Sequence, residues 1–339
     1  MTIIKIPDEI LAEAVDLGDF IKMELPERPI IIDPWLRQSS LAMIYAERGT
    51  GKTFLGLSIA LSITTGTPIG NWEVVTPVGV IYVDGEMAAD EMQEHMKSMS
   101  TALPPLLAPF KFLSSDLLHQ KNCPTVNLNY PAWRNSIKEA LANQTEIRVL
   151  ILDNLSCLTP GIEENDKEAW DSINQWLIEL RFMGIAVIFL HHAGKSGKQR
   201  GTSGREDALD IVMNLLSPPG HKPADGAEFI VSFTKSRGVC GADISDFTFS
   251  ISNDNNGNTI WQTNVPTSHQ TYKEKIIALL GSGKKQAEIR AQIGCSKQLV
   301  SKHAKWAIKN GFLVEDKATK TSIFTDKGRE KYGGYFADY

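Results

Sequence analysis

The sequence contains no run of 18 or more apolar residues, so no membrane-spanning helix is expected. Its first residues lack a basic stretch followed by an apolar run and a small-residue cleavage site, so no secretory leader is expected either. Cysteine is scarce. The four present, Cys123, Cys157, Cys240 and Cys295, are scattered and form no CxxC pair. That spacing argues against a zinc site or a disulfide framework and fits a reducing, cytoplasmic setting. No internal repeat and no low-complexity tract is visible.

What is present is an ordinary globular composition, 42% hydrophobic and 22% charged over 339 residues, a length that suits two domains. The net charge of −5 is unevenly spread. From Ser268 to Tyr339 there are 14 Lys and Arg against 7 Asp and Glu, whereas the preceding residues are strongly acidic. A basic module appended to an acidic body points to a nucleic-acid-facing unit, or to a solvated Lys-rich surface.

Residues 1–35 read as an entry segment, with a short helix over Asp8–Val15 and breaks at Pro26, Pro29 and Pro34. A domain over 36–264 follows. Apolar strand-like runs at Leu41–Tyr45, Gly79–Val83, Val149–Leu152 and Ile185–Leu190 alternate with helical stretches at Lys52–Thr65, Ala89–Met99, Ala132–Asn143 and Lys167–Met183. That alternation predicts an α/β fold with a mostly parallel sheet covered by helices on both faces. The proline-rich stretch Leu103–Tyr130 resists placement. After Asp207 only strands are expected, at Ile211–Leu216, Glu228–Thr234, Phe247–Ser252 and Thr259–Gln262, the last two joined by a hairpin turn at Asp254–Gly257. Thr263–Gln270 reads as a linker.

The chemistry gathers at strand ends. Ala46-Glu47-Arg48-Gly49-Thr50-Gly51-Lys52-Thr53 lies between a strand and a helix and fits a phosphate-binding loop with Ala46 in place of its first glycine. Glycines let backbone N–H groups turn toward phosphate oxygens, and the helix N-terminus adds a positive dipole end. Lys52 would reach the β- and γ-phosphates of a nucleoside triphosphate such as ATP, and Thr53 would bind Mg²⁺. Asp153 closes an apolar strand, as a carboxylate holding Mg²⁺ through water would; the alternative is a helix N-cap. Asp84-Gly85-Glu86-Met87 closes another, and Glu86 is preferred over Asp84 as the base that polarises water. His191-His192 ends a further strand, where either ring could bond the γ-phosphate or serve the packing.

Taken in order, Ala46–Thr53, Asp84–Met87, Leu150–Asn154 and His191-His192 resemble the RecA-like ATPases of the hexameric plasmid replicative helicase (RepA) type, over about Ile30 to Ile251. The resemblance implies ATP and Mg²⁺ as ligands. It implies a homo-oligomer, hexameric in that type, with single-stranded DNA in a channel and no membrane. It implies that Glu86 activates water, that Asp153 holds the metal, and that His192, or His191, senses the γ-phosphate. It implies a DNA-contacting loop at Ala193–Asp207, carrying Lys195, Lys198, Arg200 and Arg205, with an acidic companion at Thr159–Lys167. It also implies that Lys235 and Arg237 reach into a neighbouring subunit's site, an arginine supplied in trans.

The basic module, residues 270–335, resembles a winged helix-turn-helix. Helices are expected at Thr271–Leu280, Gln286–Ile293 and Lys297–Lys309, with a wing from Phe312–Val314 and Ser322–Phe324. Its third helix would offer Lys297, Gln298, Ser301, Lys302 and Lys305 to duplex DNA, with Lys317 and Lys320 on the wing; protein contact is the alternative use. Three functions follow from these readings. One is a DNA-stimulated ring ATPase, a helicase or replication protein of a mobile element. The second is an accessory DNA-binding ATPase that uses ATP as an assembly switch. The third, a small-molecule kinase, leaves the basic module unexplained and lacks an arginine-rich lid.

Overall fold

The computed structural model describes residues 14–101, 103–161, 167–193, 208–218, 227–253, 259–264, 272–293, 297–316 and 321–332. In chain order the first elements are α1 (Leu17–Phe20), β1 (Ile30–Asp33), β2 (Leu36–Arg37), β3 (Leu41–Ala46), α2 (Lys52–Thr65), β4 (Glu73–Val74), β5 (Gly79–Asp84) and α3 (Ala89–Ser100). Next come β6 (Phe110–Ser114), α4 (Ser115–Gln120), α5 (Pro131–Ala142), β7 (Ile147–Asp153), α6 (Leu155–Leu158), α7 (Lys167–Phe182) and β8 (Ala186–His192). The antiparallel part holds β9 (Ile211–Leu216), β10 (Ala227–Ser236), β11 (Phe247–Asn253) and β12 (Thr259–Asn264). The chain then forms α8 (Tyr272–Gly281), α9 (Gln286–Ile293), α10 (Lys297–Lys309), β13 (Leu313–Asp316), β14 (Thr321–Phe324) and α11 (Asp326–Tyr332).

Nine strands make one sheet in the order β12-β11-β10-β9-β3-β8-β7-β5-β6. From β9 to β6 neighbouring strands are parallel, and β10 to β12 are added antiparallel. This is a RecA-like α/β core. The apolar runs are continuous because both faces are covered. Residues of one parity (Ala42, Ile44, Tyr82, Ile151, Ile188, Leu190) pack with α2, and those of the other (Met43, Val83, Leu150, Val187, Phe189) pack with Ile137 of α5 and with Trp176 and Leu180 of α7. Helix α2 is buried along nearly its whole length, which explains why its sequence is apolar all round rather than on one stripe.

Two regions go beyond what the sequence conveys. Within the segment read as an entry, β1 pairs with β2 and β4, and Ile31, Ile32 and Trp35 join the main core. The unplaced stretch 103–130 supplies β6, which pairs parallel to β5 as the edge strand, and α4. Of the expected early helix, residues 8–13 lie outside the described ones, and α1 begins at Leu17. The Asp254–Gly257 turn and residues 265–270 of the linker also lie outside them, although β11 and β12 pair in the antiparallel register that a hairpin requires.

The carboxy-terminal elements bury their own core, including Ile276, Leu280, Ile289, Val300, Ala307 and Leu313, beneath the β13–β14 hairpin. A small set of charges ties this unit to the body. Lys273 Nζ lies 2.9 Å from Glu73 Oε2 on β4 and 3.7 Å from the centre of the Trp306 ring, and Lys331 approaches the same glutamate at 3.9 Å. Lys273 is mostly shielded, so this pair has more weight than an exposed one. Glu73→Ala is expected to weaken the docking by about 1–2 kcal/mol. The check is hydrogen exchange, which should rise at the amides of α8 and α11 that face β4 while those of β3 and β7 stay protected.

Candidate functional site

The parallel register sets the site. Ala46 pairs with His192 and Asp84 with Asp153, so the ends of β3, β8, β5 and β7 finish at one edge of the sheet. Ligands of open α/β sheets bind beyond this carboxyl edge. The loop Ala46–Thr53 curls there, with Gly49 and Gly51 at φ of 78° and 107°, values that L side chains rarely adopt. At Gly51 the space is closed as well, since a Cβ would come within 2.9 Å of the Phe229 ring. The Lys52 ammonium is buried and donates to the carbonyls of Ala46 at 3.1 Å and Glu47 at 2.8 Å.

Two buried carboxylates share this edge. Asp153 accepts from the Tyr82 hydroxyl at 2.7 Å and from the Thr53 side chain. Burial raises its affinity for a proton, partly offset by these two donors. Asp84 is pushed up to about 7, first by burial and then by the charge of Asp153, and it accepts from Met87 N at 3.1 Å. Burial also brings Lys52 down to about 8, against the pull of Asp153 and Glu86. The N-cap reading of Asp153 falls to its neighbour. Asn154 caps α6 through its Oδ1, which accepts from Cys157 N at 3.0 Å, and this leaves Asp153 facing the loop.

Glu86 leaves the buried turn. The peptide N–H of Gly85 is bonded to Asp153 O at 2.7 Å, and a side chain at Gly85 would meet Leu158 at 2.8 Å. The chain therefore passes tightly against α6 and presents Glu86 to the cleft, while Asp84 stays in the turn. Glu86 Oε2 lies 3.6 Å from His192 Nε2. The Asn154 side-chain amide contacts both, reaching Glu86 Oε2 and His192 Nε2, the latter at 3.0 Å. Burial, then the Lys52 and Arg48 charges, hold the His192 ring below its ordinary range, with Glu86 opposing. His191 shares the parity of Phe189 and faces the opposite side of the sheet, so His192 is the ring at the site.

A cleft of about 830 Å³ joins Arg48, Lys52, Thr53, Asp84, Glu86 and Asp153, with His192 in its wall. That volume suits a nucleotide. Thr53 and Asp153 fit a divalent cation, since a buried carboxylate beside a hydroxyl is costly until a cation offsets it, with phosphate oxygens and water completing the shell. Tyr82 and Asn154 were not singled out from sequence. Tyr82 lies inside an apolar run, and only the register places it under Asp153.

Lys235 and Arg237 lie elsewhere. Ala227, at the start of β10, lines the cleft, but β10 runs away from it and Ser236 pairs with Ile211 at the opposite sheet edge. Ten extended residues span about 30 Å, so neither side chain reaches the site of its own chain. Lys195, Lys198, Arg200 and Arg205 lie outside the described residues, as do Glu163, Glu164 and Asp166. On α10, Lys297 and Lys305 are exposed and Ser301 is half-buried. Lys302 lines a cleft of about 350 Å³ against the body, near Asp243, and the Gln298 side chain, Lys317 and Lys320 are outside the described residues.

Fold and site together define a P-loop nucleotide-binding protein of the RecA-like class. The chain belongs to the AAA domain family, whose model matches residues 6–198 and so spans every strand end of the site. Among solved structures, the KaiC-like protein PH0186 from the hyperthermophilic archaeon Pyrococcus horikoshii OT3 is similar at 15% identity with a TM-score of 0.47, covering 69% of this chain and 98% of that one. No curated protein matches the chain.

The Asp84 carboxyl binds its proton more tightly folded than unfolded. The contribution of this group to stability therefore falls as pH rises from about 4 to about 7 and is constant above that. Asp84→Asn removes this penalty and keeps an acceptor for Met87 N. The variant is expected to be more stable than the parent by a few kcal/mol at pH 8, with the gap closing toward pH 4, as read by denaturant unfolding at each pH.

Proposed function

We propose that the chain is a Mg²⁺-dependent ATPase that works as a ring on DNA, a helicase or replication protein of a mobile element. The observation that carries the hydrolytic reading is the placement of Glu86 and His192 across one cleft from Lys52, Thr53 and Asp153. Lys52 and the loop N–H groups hold the β- and γ-phosphates and spread the charge that develops on them. Thr53 and Asp153 would hold a Mg²⁺ ion, which would supply further charge neutralisation. Glu86 takes a proton as water attacks the γ-phosphorus and the bond to the β-bridging oxygen breaks. His192 bonds the γ-phosphate oxygens and loses that partner when phosphate departs.

Lys235 and Arg237 complete a neighbouring copy's site in this reading, which their distance from their own cleft supports. Such contacts are head-to-tail and close into a ring. The basic face of α10, with Lys297, Ser301 and Lys305, meets duplex phosphates and bases, and Lys195, Lys198, Arg200 and Arg205 meet single strands in the channel. One observation favours the switch alternative. Lys302 and Lys273 face the body beside Asp243 and Glu73, which suits a unit whose docking changes with nucleotide state.

Glu86→Gln is expected to bind ATP as the parent does and to lower kcat by about 10²–10⁴-fold, whereas Lys52→Ala loses ATP binding itself; a filter-binding assay beside phosphate release separates the two. Single-stranded DNA is expected to stimulate turnover of the parent, and a flat rate across DNA concentrations contradicts the motor reading. Mixing Arg237→Ala with Lys52→Ala subunits is expected to restore part of the turnover that each lacks alone, since a mixed interface pairs an intact loop with an intact arginine.

A further inference from the structure

Helix α10 of the carboxy-terminal unit presents three sides, set by its turn of about 3.6 residues. Val300, Ala304 and Ala307 point into the unit's own core. Lys297 and Lys305 are exposed, with half-buried Ser301 between them. The third side is turned to the body. Leu299, Lys302 and His303 line the cleft of about 350 Å³ between the two, and Trp306 lies under the Lys273 ammonium that bonds Glu73. Lys302 stands at the border of the exposed and body-facing sides. The body meets these cations with carboxylates. Asp33 and Glu73 are register partners on β1 and β4. Asp243, in the short turn Gly241–Ile244, lies within range of the Asp33, Lys302 and Lys273 charges.

Ammonium groups set against a row of anionic oxygens are the contacts that a nucleic-acid backbone supplies. A helix with its side chains is about 10–12 Å across, and the major groove of duplex DNA is about 12 Å wide. A helix seated there has a phosphate backbone on each flank, with no room for a protein body against either. The Lys302 flank of α10 is already occupied, and its occupant is acidic. We propose that the body holds α10 closed to duplex DNA, with Asp33, Glu73 and Asp243 standing in place of one phosphate strand, and that body and duplex compete for this side of the unit. The proposal rests on the reading of α10 as the duplex-contacting helix. The docked contact is incompletely satisfied. His303 is buried in it, and its Nε2 has no hydrogen-bond partner among the described residues. Burial, then the Lys302 and Lys273 charges, bring that ring down to about 4 and keep it neutral. A buried, unpaired nitrogen weakens docking and regains a partner when water reaches it. Competition of this kind lowers the apparent duplex affinity by the undocked fraction.

The test uses the full chain and a fluorescein-labelled, mixed-sequence duplex about two helical turns long, with binding read by anisotropy at one salt concentration. Glu73→Ala removes the carboxylate that Lys273 bonds and is expected to tighten duplex binding about five- to thirtyfold. Asp243→Asn is expected to act in the same direction, and it serves if the alanine variant folds poorly. Glu139→Ala makes the same change of charge on the exposed side of α5, across the sheet from β4. It is expected to alter affinity by less than about twofold, since one remote charge is largely screened. In the parent, the duplex is expected to raise hydrogen exchange at β4 and at Gly241–Ile244, the body segments that the unit covers. An affinity unchanged or lowered in both variants, or raised as much by Glu139→Ala, overturns the proposal and leaves α10 a duplex reader. Exchange at β4 that the duplex does not alter overturns it too. Binding by neither the parent nor the variants overturns the reading of α10 itself, and the proposal with it.

Discussion

The burial of one ammonium and two carboxylates at a single sheet edge is the constraint on which the rest of the site depends. Lys52, Asp153 and Asp84 sit at the carboxyl edge of the sheet, each largely removed from water and each shifted by burial toward its neutral form. Such a set is costly unless other charges enter it. A triphosphate brings negative charge to the lysine side, and a divalent cation brings positive charge to the Thr53 and Asp153 side. Both ligands would offset charges that burial makes costly. The fold carries that cost because the core is large: a nine-strand sheet with helices on both faces holds these side chains in place.

The same edge organises the residues around this set. Tyr82 bonds Asp153 from the adjacent strand, Asn154 turns outward to cap a helix, and the tight passage at Gly85 lifts Glu86 out of the buried turn. That passage separates Asp84 from Glu86, and strand parity separates His191 from His192. Asp84 stays inside while Glu86 faces the cleft, and His192 faces it while His191 packs on the other side of the sheet. These choices follow from a period of two along a strand, from one close backbone approach, and from nothing remote.

Much of this was legible in the residues. The strands of the parallel sheet are continuous apolar runs, and the loop between Leu41–Ala46 and Lys52–Thr65 announces itself by its glycines, its lysine and its threonine. The helix bounds at Lys52–Thr65, Gln286–Ile293 and Lys297–Lys309 coincide with those read from the sequence. What escaped did so for physical reasons. The strand Phe110–Ser114 is short, partly buried and preceded by prolines, and it shows neither alternation nor a long apolar run. Ile30–Asp33 is a four-residue strand with one partner close by at Leu36–Arg37 and the other some forty residues on, at Glu73–Val74, a pairing that no local pattern encodes. Asn154 and Tyr82 gain their roles from register and from side-chain directions across neighbouring strands, which a single sequence does not contain.

In the proposed function, the edge formed by Lys52, Thr53, Asp153, Glu86 and His192 is where water attacks the γ-phosphate of a nucleotide. The most direct measurement is an experimental structure of the full chain with Mg²⁺, ADP and an aluminium fluoride mimic of the transferring phosphate. The mimic is expected beside Lys52 Nζ, the cation at Thr53 and Asp153, the attacking water on Glu86, and His192 within hydrogen-bond reach of the mimic. A mimic bound away from this edge, or a water held by Asp84 rather than Glu86, would contradict this reading.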